Sequence, residues 1–177
     1  QGKKVLAPEY GGDGIEVGRC STYKDPILGF PGHWAPNDLL FYDGDQFPPR
    51  YKEGAFVAFH GSTNRAPYPQ SGYIVAFVPM LNGLPTGDIE IFADGFARVD
   101  TIVSVKDAVF RPMGLAQGPN GSLYIADTEH GAIWKVSYTG DQKLFDSSDL
   151  AAMKQRTELN HIRTPELVAD NLQNATT

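Results

Sequence analysis

Short apolar runs separated by turns dominate the sequence between residues 39 and 138. Residues 55–59 are apolar at every position, which predicts a strand buried on both faces. Residues 132–138 alternate between inward and outward positions, as a strand with one exposed face does. Few stretches keep a helical period, and 19 Gly and 13 Pro supply many turns. The pattern therefore predicts an all-β fold.

The apolar runs fall into two groups of strands. The first group is expected at residues 39–42, 55–59, 73–78 and 89–92, and the second at residues 113–117, 123–126 and 132–138. Pro119-Asn120-Gly121 predicts a tight hairpin turn inside the second group, because Asn and Gly tolerate a positive φ. Residues 47–51 contain two prolines and predict a rigid connector.

The two groups of strands repeat one another. Ala35-Pro36, residues 56–60 and residues 72–78 of the first copy correspond to Arg111-Pro112, residues 123–127 and residues 131–136 of the second. Self-similar four-stranded units are typical of β-propeller blades, which bury their faces against their neighbours. Two blades do not close a ring, since propellers usually have about 4–8 of them. We therefore expect part of a larger propeller, with a β-sandwich of the same strands as the alternative.

The expected organisation has four parts. Residues 1–32 are an irregular N-terminal segment of the preceding blade, residues 33–100 and 101–146 are two blades, and residues 147–177 are a helical tail or linker. In the tail, Ser148-Asp149 predicts the start of a short helix over residues 150–156. Thr164-Pro165-Glu166 predicts the start of a second one over residues 167–172.

Charge and composition exclude several classes of protein. The net charge is −6, and no Lys/Arg cluster is larger than Lys3-Lys4, which argues against nucleic-acid binding. No apolar run approaches the ~18 residues that a membrane span needs. The single cysteine, Cys20, excludes an internal disulfide and a multi-cysteine metal site. The glycine-rich residues 11–14 lack the Gly-Lys-Ser/Thr ending of a phosphate-binding loop.

Three single residues have expected structural roles. Asp127 ends a strand and is expected to accept backbone N–H bonds that stabilise the blade. Trp134 is expected in the core between blades, because a large aromatic side chain on a strand is usually buried. His130, in a hairpin turn, is expected to be exposed to solvent.

Several motifs occur in a fixed order along the chain. They are His33-Trp34-Ala35-Pro36, residues 40–48, His60-Gly61-Ser62-Thr63-Asn64-Arg65, residues 92–96 and Arg111-Pro112-Met113-Gly114-Leu115. Together they resemble the soluble glucose/sorbosone dehydrogenase family, whose members are six-bladed propellers that oxidise sugars with pyrroloquinoline quinone (PQQ). The resemblance covers about residues 5–140 and implies roughly the last two blades. Thr63 departs from it, since relatives of the sorbosone type commonly carry Trp there.

The resemblance implies contacts to cofactor and substrate. PQQ carries three carboxylates, which the planar, bidentate guanidinium group of arginine suits well. The implied cofactor-binding residues are Arg111, Arg65, Asn64 and His60, and the implied sugar-binding residues are His33 and Trp34. In the alternative interpretation these residues brace loops, shape turns or pack beneath them.

The resemblance also implies features outside the chain. The catalytic base and the calcium ligands lie in earlier blades, so no catalytic or metal-binding residue is assigned here, although Ca²⁺ is an implied cofactor. The implied partners are the sugar, the rest of the propeller and a c-type cytochrome as electron acceptor, in a periplasmic or secreted location. No Cys-x-x-Cys-His motif occurs, so a haem domain would follow Thr177. The competing hypothesis is a non-redox propeller, either an NHL-type binding scaffold or a lactonase.

Overall fold

The computed structural model describes residues 4–141 and 166–169, and the chain divides into two compact units, Gln1–Pro31 and Gly32–Thr177. The described part of the first unit contains two short 3₁₀ turns, Pro8–Tyr10 and Gly18–Thr22. The Asp13 carboxylate accepts hydrogen bonds from the backbone N–H groups of Ile15 and Glu16. This loop therefore gets its shape from local bonds rather than from a sheet.

The second unit contains two four-stranded antiparallel sheets, each with its strands in chain order. Sheet one consists of β1 (Pro36–Phe41), β2 (Ala55–Phe59), β3 (Ile74–Val78) and β6 (Glu90–Ala93). A small hairpin of β4 (Met80–Leu81) and β5 (Leu84–Pro85) separates β3 from β6. Sheet two consists of β7 (Pro112–Gln117), β8 (Leu123–Asp127), β9 (Ile133–Val136) and β10 (Glu166–Ala169).

The all-β prediction is confirmed, and each of the seven predicted strands forms. The predicted turn after β7 also forms: Gly121 has a φ of +80°, and the Gly118 N–H donates to the Ser122 carbonyl at 2.8 Å. Short 3₁₀ turns occur at Pro49–Tyr51 and Val105–Asp107. No helix in the described part of the chain is long and apolar enough to cross a bilayer.

The predicted helix over residues 167–172 is wrong, because residues 166–169 form strand β10. Glu166 lies opposite Lys135 and Leu167 opposite Trp134 in an antiparallel pair with β9. Without this pairing β9 would be an open edge, and the ladder hydrogen bonds gained there outweigh a local capping signal. The predicted helix over residues 150–156 lies outside the described residues.

One face of each sheet contributes to a common apolar core. Leu40 of β1 lies opposite Phe56 of β2, which in turn lies opposite Phe77 of β3. In sheet two, Leu115, Ile125 and Trp134 are aligned in the same way. These side chains belong to one cluster, and the backbones of the two sheets approach each other at β1, β2 and β7. Every residue of β2 is buried, as its continuous apolar run predicted.

Trp134 lies in the centre of this core. It is 1% exposed, and its ring lies nearly perpendicular to the rings of Phe96 and Phe110, with centroids 5.1 and 4.9 Å away. Phe96 and Phe110 flank the connection between β6 and β7, so Trp134 fixes the path by which the chain passes from sheet one to sheet two. The expected position of Trp134 in the core is confirmed.

Polar contacts hold β1 beside β7. The Asp38 carboxylate accepts a hydrogen bond from the Leu115 N–H at 2.7 Å, and the Tyr42 hydroxyl donates to the Gly121 carbonyl at 2.8 Å. A Cβ atom on Gly121 would come within 2.9 Å of the Gln46 side chain, so glycine permits this close approach. These bonds fix the relative position of the two sheets and so of the loops at their ends.

Candidate functional site

Four segments meet at one end of the two sheets, which we call the loop end: residues 33–35, 60–73, 110–111 and 128–131. Pro36, where β1 begins, lies opposite Phe59, where β2 ends, and Phe59 lies opposite Ile74, where β3 begins. In sheet two, Pro112 lies opposite Asp127. Loops at the ends of rigid strands are common positions for binding residues. The loop end therefore contains all six residues for which the sequence predicted contacts to cofactor or sugar.

Arg111 joins the two sheets at the loop end. Its Nε donates to the His60 carbonyl and its Nη2 to the Gly61 carbonyl, each at 3.0 Å. Its Nη1 lies 3.5 Å from a carboxylate oxygen of Glu129. One N–H on Nη1 and one on Nη2 have no partner among the described residues. Arg111 is thus a loop-bracing residue that keeps donor capacity for a ligand.

Asp127 fixes the segment that carries Arg111. The buried Asp127 carboxylate accepts the Arg111 N–H at 2.6 Å on Oδ1. On Oδ2 it accepts the N–H groups of Glu129 at 3.0 Å and His130 at 2.6 Å. This confirms the expected role of Asp127, and one carboxylate sets both the start of β7 and the turn after β8. His130 is exposed, as expected.

His60 is held between the same two loops. Its Nε2 lies 2.7 Å from the Thr128 Oγ1, and its backbone N–H donates to the Ala35 carbonyl at 2.9 Å. Burial lowers the pKa of His60 below its ordinary value of 6.5, and the nearby Arg111 charge lowers it further. His60 is therefore a neutral imidazole near pH 7, which donates a hydrogen bond from one ring nitrogen and accepts one at the other.

The lowered pKa of His60 predicts that the protein loses stability in mild acid. Below pH 6.5 the unfolded chain binds a proton at His60 before the folded chain does, so the free energy of unfolding falls until the folded pKa is passed. We expect this loss to be smaller in His60→Gln. Urea unfolding at pH 7.5 and pH 5 measures it. His33→Gln, which changes an exposed histidine, is the matched control; equal pH dependence of His60→Gln and wild type would contradict the prediction.

Arg65 and Asn64 lie in the loop between β2 and β3. Arg65 Nη1 donates to the Pro69 carbonyl at 3.2 Å, and Asn64 is exposed. Ser62 and Gln70 close the base of this loop through a side-chain hydrogen bond of 2.8 Å. The bond to Pro69 links the Arg65 side chain to its own loop. Arg111 and His60 are joined through the His60 carbonyl, and the convergence of Arg65 with them on one face stays a prediction.

Trp34 lies two residues before β1, and its ring packs in a T-shaped arrangement with Phe59, with centroids 5.4 Å apart. Its Nε1 is buried and has no hydrogen-bond partner in the part of the chain that the structure describes. His33, beside it, is exposed. Cofactor contacts for Arg111, Arg65, Asn64 and His60 and sugar contacts for His33 and Trp34 stay predictions.

Sequence reasoning missed Thr128, Glu129 and Gly61 as members of this site. Glu129 was interpreted only as part of a turn and Thr128 was given no role, although the internal repeat places the loop after β8 where the loop after β2 carries His60. Gly61 has a φ of +89°, and a Cβ atom there would lie 2.5 Å from the Tyr73 ring. No group of three or more His, Cys, Asp or Glu residues that could hold a metal ion occurs among the described residues.

The model of one protein family, TrAA12-like, matches residues 13–139, which include both described sheets except β10. The chain belongs to the TrAA12-like family. The expected membership of the soluble glucose/sorbosone dehydrogenase family is therefore wrong. The short motifs that suggested the dehydrogenase family are of the kind that antiparallel strands and tight turns require, and different families share them.

Relatives of this TrAA12-like chain are longer than the chain itself. Two solved structures of the carbohydrate-active enzyme family AA12 from Trichoderma reesei, a calcium and an iodide structure, are 27% identical, with TM-scores of 0.47 and 0.46. Each comparison covers 68% of this chain and 29% of the other. An uncharacterised protein of Borreliella burgdorferi is 30% identical over 113 residues, which are 63% of this chain and 28% of that protein. The chain thus spans less than a third of these relatives.

Proposed function

We propose that this TrAA12-like chain is part of a PQQ-dependent oxidoreductase that oxidises a hydroxyl group of a carbohydrate. Its family supports the proposal, because AA12 is a family of PQQ-dependent oxidoreductases. The observation that carries it is the Arg111 guanidinium at the loop end, which keeps two N–H groups without a partner among the described residues.

The donors of the loop end fit PQQ chemically. Carboxylate and quinone oxygens are acceptors. The two Arg111 N–H groups that have no partner in the described part of the chain lie on the two terminal nitrogens of one planar group. Bonds to the His60 and Gly61 carbonyls hold that plane in place, so little side-chain entropy is lost when a carboxylate binds. When bound, PQQ would supply a two-electron acceptor for the hydride of a sugar carbon.

The residues of this chain would bind and orient rather than remove the proton of the sugar hydroxyl. Arg111 would hold a carboxylate, and neutral His60 would offer its ring to a quinone or hydroxyl oxygen. Arg65, Asn64 and His33 would line the approach from the solvent side. The base that takes the hydroxyl proton is expected elsewhere in the complete protein.

In this proposal the two sheets are neighbouring propeller blades. Their close approach at β1, β2 and β7 supports it, because blades meet at their innermost strands. Leu39 and Phe41 are 52% and 61% exposed on the face of β1 opposite to Leu40, which is where a preceding blade would pack. Ca²⁺, with ligands from other blades, would be the second cofactor, and a c-type cytochrome the electron acceptor. The complete protein would be periplasmic or secreted.

The test measures PQQ binding and sugar-dependent reduction of an electron-accepting dye by the complete protein with Ca²⁺. Arg111→Lys keeps the charge and removes the planar fork, so we expect the affinity for PQQ to fall at least ~10-fold. Arg19→Lys, at an exposed arginine whose guanidinium donates to the Tyr10 carbonyl, is the matched control and should bind like wild type. Absence of PQQ binding by wild type, or equal affinity in Arg111→Lys, would sink the proposal.

A further inference from the structure

Three of the four hydrogen-bonding groups of His60 have partners. Its backbone N–H donates to the Ala35 carbonyl at 2.9 Å, its carbonyl accepts Arg111 Nε at 3.0 Å, and its Nε2 lies 2.7 Å from the Thr128 Oγ1. The fourth group, Nδ1, has no partner among the described residues. It does not belong to the side-chain nitrogens that are buried without a partner there, so solvent reaches it and a ligand can do the same. Nδ1 is therefore the atom of this ring that remains for a polar ligand.

Thr128 is the residue that restrains the ring. The turn in which it lies is fixed by its neighbours, because the Asp127 carboxylate accepts the N–H groups of Glu129 and His130. The Thr128 N–H also donates to the Arg111 carbonyl, at a longer distance of 3.4 Å. A hydroxyl group held in this way limits rotation of the imidazole that it contacts. Because the two nitrogens of the ring face different directions, a bond at Nε2 leaves Nδ1 facing away from Thr128.

The Thr128 hydroxyl is compatible with either position of the single proton on a neutral imidazole. It can donate to Nε2, which places the ring proton on Nδ1, or accept from Nε2, which leaves Nδ1 as an acceptor. Burial and the nearby Arg111 charge lower the pKa of His60, so the ring is neutral near pH 7. A ligand oxygen that the Arg111 charge attracts is an acceptor. Such an atom requires the proton on Nδ1.

We propose that Thr128 is a positioning residue whose hydroxyl donates to Nε2 of His60 and thereby presents the Nδ1–H group to an acceptor oxygen of the ligand at the loop end. The acceptor is a carboxylate or quinone oxygen of the cofactor, so this rests on the proposed function for the identity of the ligand. Arg111 and His60 would bind that ligand together, the first through its charge and the second through one N–H group. Thr128 itself needs no contact with the ligand.

The test compares Thr128→Val, which keeps the shape of the side chain and removes the hydroxyl, with Thr128→Ser, which keeps the hydroxyl. PQQ is titrated into the complete protein with Ca²⁺. Loss of the hydroxyl should weaken PQQ binding about fivefold, as the loss of one hydrogen bond does, and Thr128→Ser should restore most of the affinity. Thr22→Val removes an exposed hydroxyl that donates to the Arg19 carbonyl, and as the matched control it should bind like wild type.

His60→Phe separates a role through the imidazole from a merely structural one. In that background the ring nitrogens are gone, so Thr128→Val should cause no further loss of PQQ affinity. The same loss in both backgrounds, or an affinity of Thr128→Val equal to that of wild type, would overturn the inference while the proposed function stands. If wild type binds no PQQ, the proposed function fails, and the inference fails with it.

The position of the ring proton can be observed without any measurement of activity. In protein labelled with ¹⁵N-histidine, protonated and unprotonated ring nitrogens resonate far apart, and their couplings to the ring hydrogens tell the two nitrogens from each other. The His60 signals are the ones that disappear in His60→Phe. With PQQ bound, Nδ1 should carry the proton in wild type and in Thr128→Ser. A proton on Nε2 would mean that Thr128 accepts rather than donates, which also overturns the inference.

Discussion

Trp134→Ala is expected to lower the free energy of unfolding by about 4 kcal/mol, the loss typical of removing a fully buried indole. Trp134 is 1% exposed and packs between Phe96 and Phe110 in the core between the sheets. Its removal leaves a cavity that these two rings cannot both fill, since each is attached to the connection between β6 and β7. Equilibrium unfolding in urea measures the change.

Val103→Ala is the control for this experiment, because Val103 is 77% exposed and its truncation removes little buried apolar surface. We expect that variant to stay within ~0.5 kcal/mol of wild type, as surface substitutions usually do. A loss below ~1 kcal/mol for Trp134→Ala would mean that the two sheets do not share a core.

Asp127→Asn should cost about 2–3 kcal/mol of stability, although the two side chains have nearly the same shape. The carboxylate accepts three backbone N–H groups, from Arg111, Glu129 and His130. An asparagine amide can accept on one side only, and its NH₂ group would face an N–H donor on the other. The start of β7 or the turn after β8 must then give way, and Arg111 moves with it.

Urea unfolding combined with PQQ titration checks this prediction for Asp127. Asp100→Asn, which changes an exposed carboxylate with no hydrogen bond in the described residues, should alter neither quantity. If Asp127→Asn were as stable as wild type, the three hydrogen bonds would make no net contribution to the free energy of unfolding. Lower stability with unchanged PQQ affinity would separate the loop scaffold from the binding of the cofactor.

The strands could be predicted because their signals are local. The continuous apolar run of β2 and the turn at Gly121 both depend on residues adjacent in sequence. Strand β10 could not, because its partner β9 lies far along the chain and the local signal at Thr164-Pro165-Glu166 favours a helix start. Whether a distant segment pairs depends on an edge strand that still has unpaired backbone groups, and the local sequence of that segment does not show this.

The site was predictable as a set of loops, but not in its contacts. Antiparallel order alone brings the residues before β1 and β7 to the same end as those after β2 and β8. The two shortest bonds of the Arg111 side chain, however, go to main-chain carbonyl oxygens, and these do not differ from one residue type to another. The bond of Arg65 to the Pro69 carbonyl is likewise a main-chain contact within one loop, which the identity of the residues does not signal.

The attachment of Arg111 to carbonyl oxygens has a consequence for redesign of the loop end. Because the His60 carbonyl, not its imidazole, accepts the Arg111 bond, the side chain at position 60 can be exchanged without cutting the link between the sheets. Position 61 offers no such freedom, since any Cβ atom there meets the Tyr73 ring. Libraries that vary residue 60 and keep Gly61 should therefore change ligand preference on an unaltered frame.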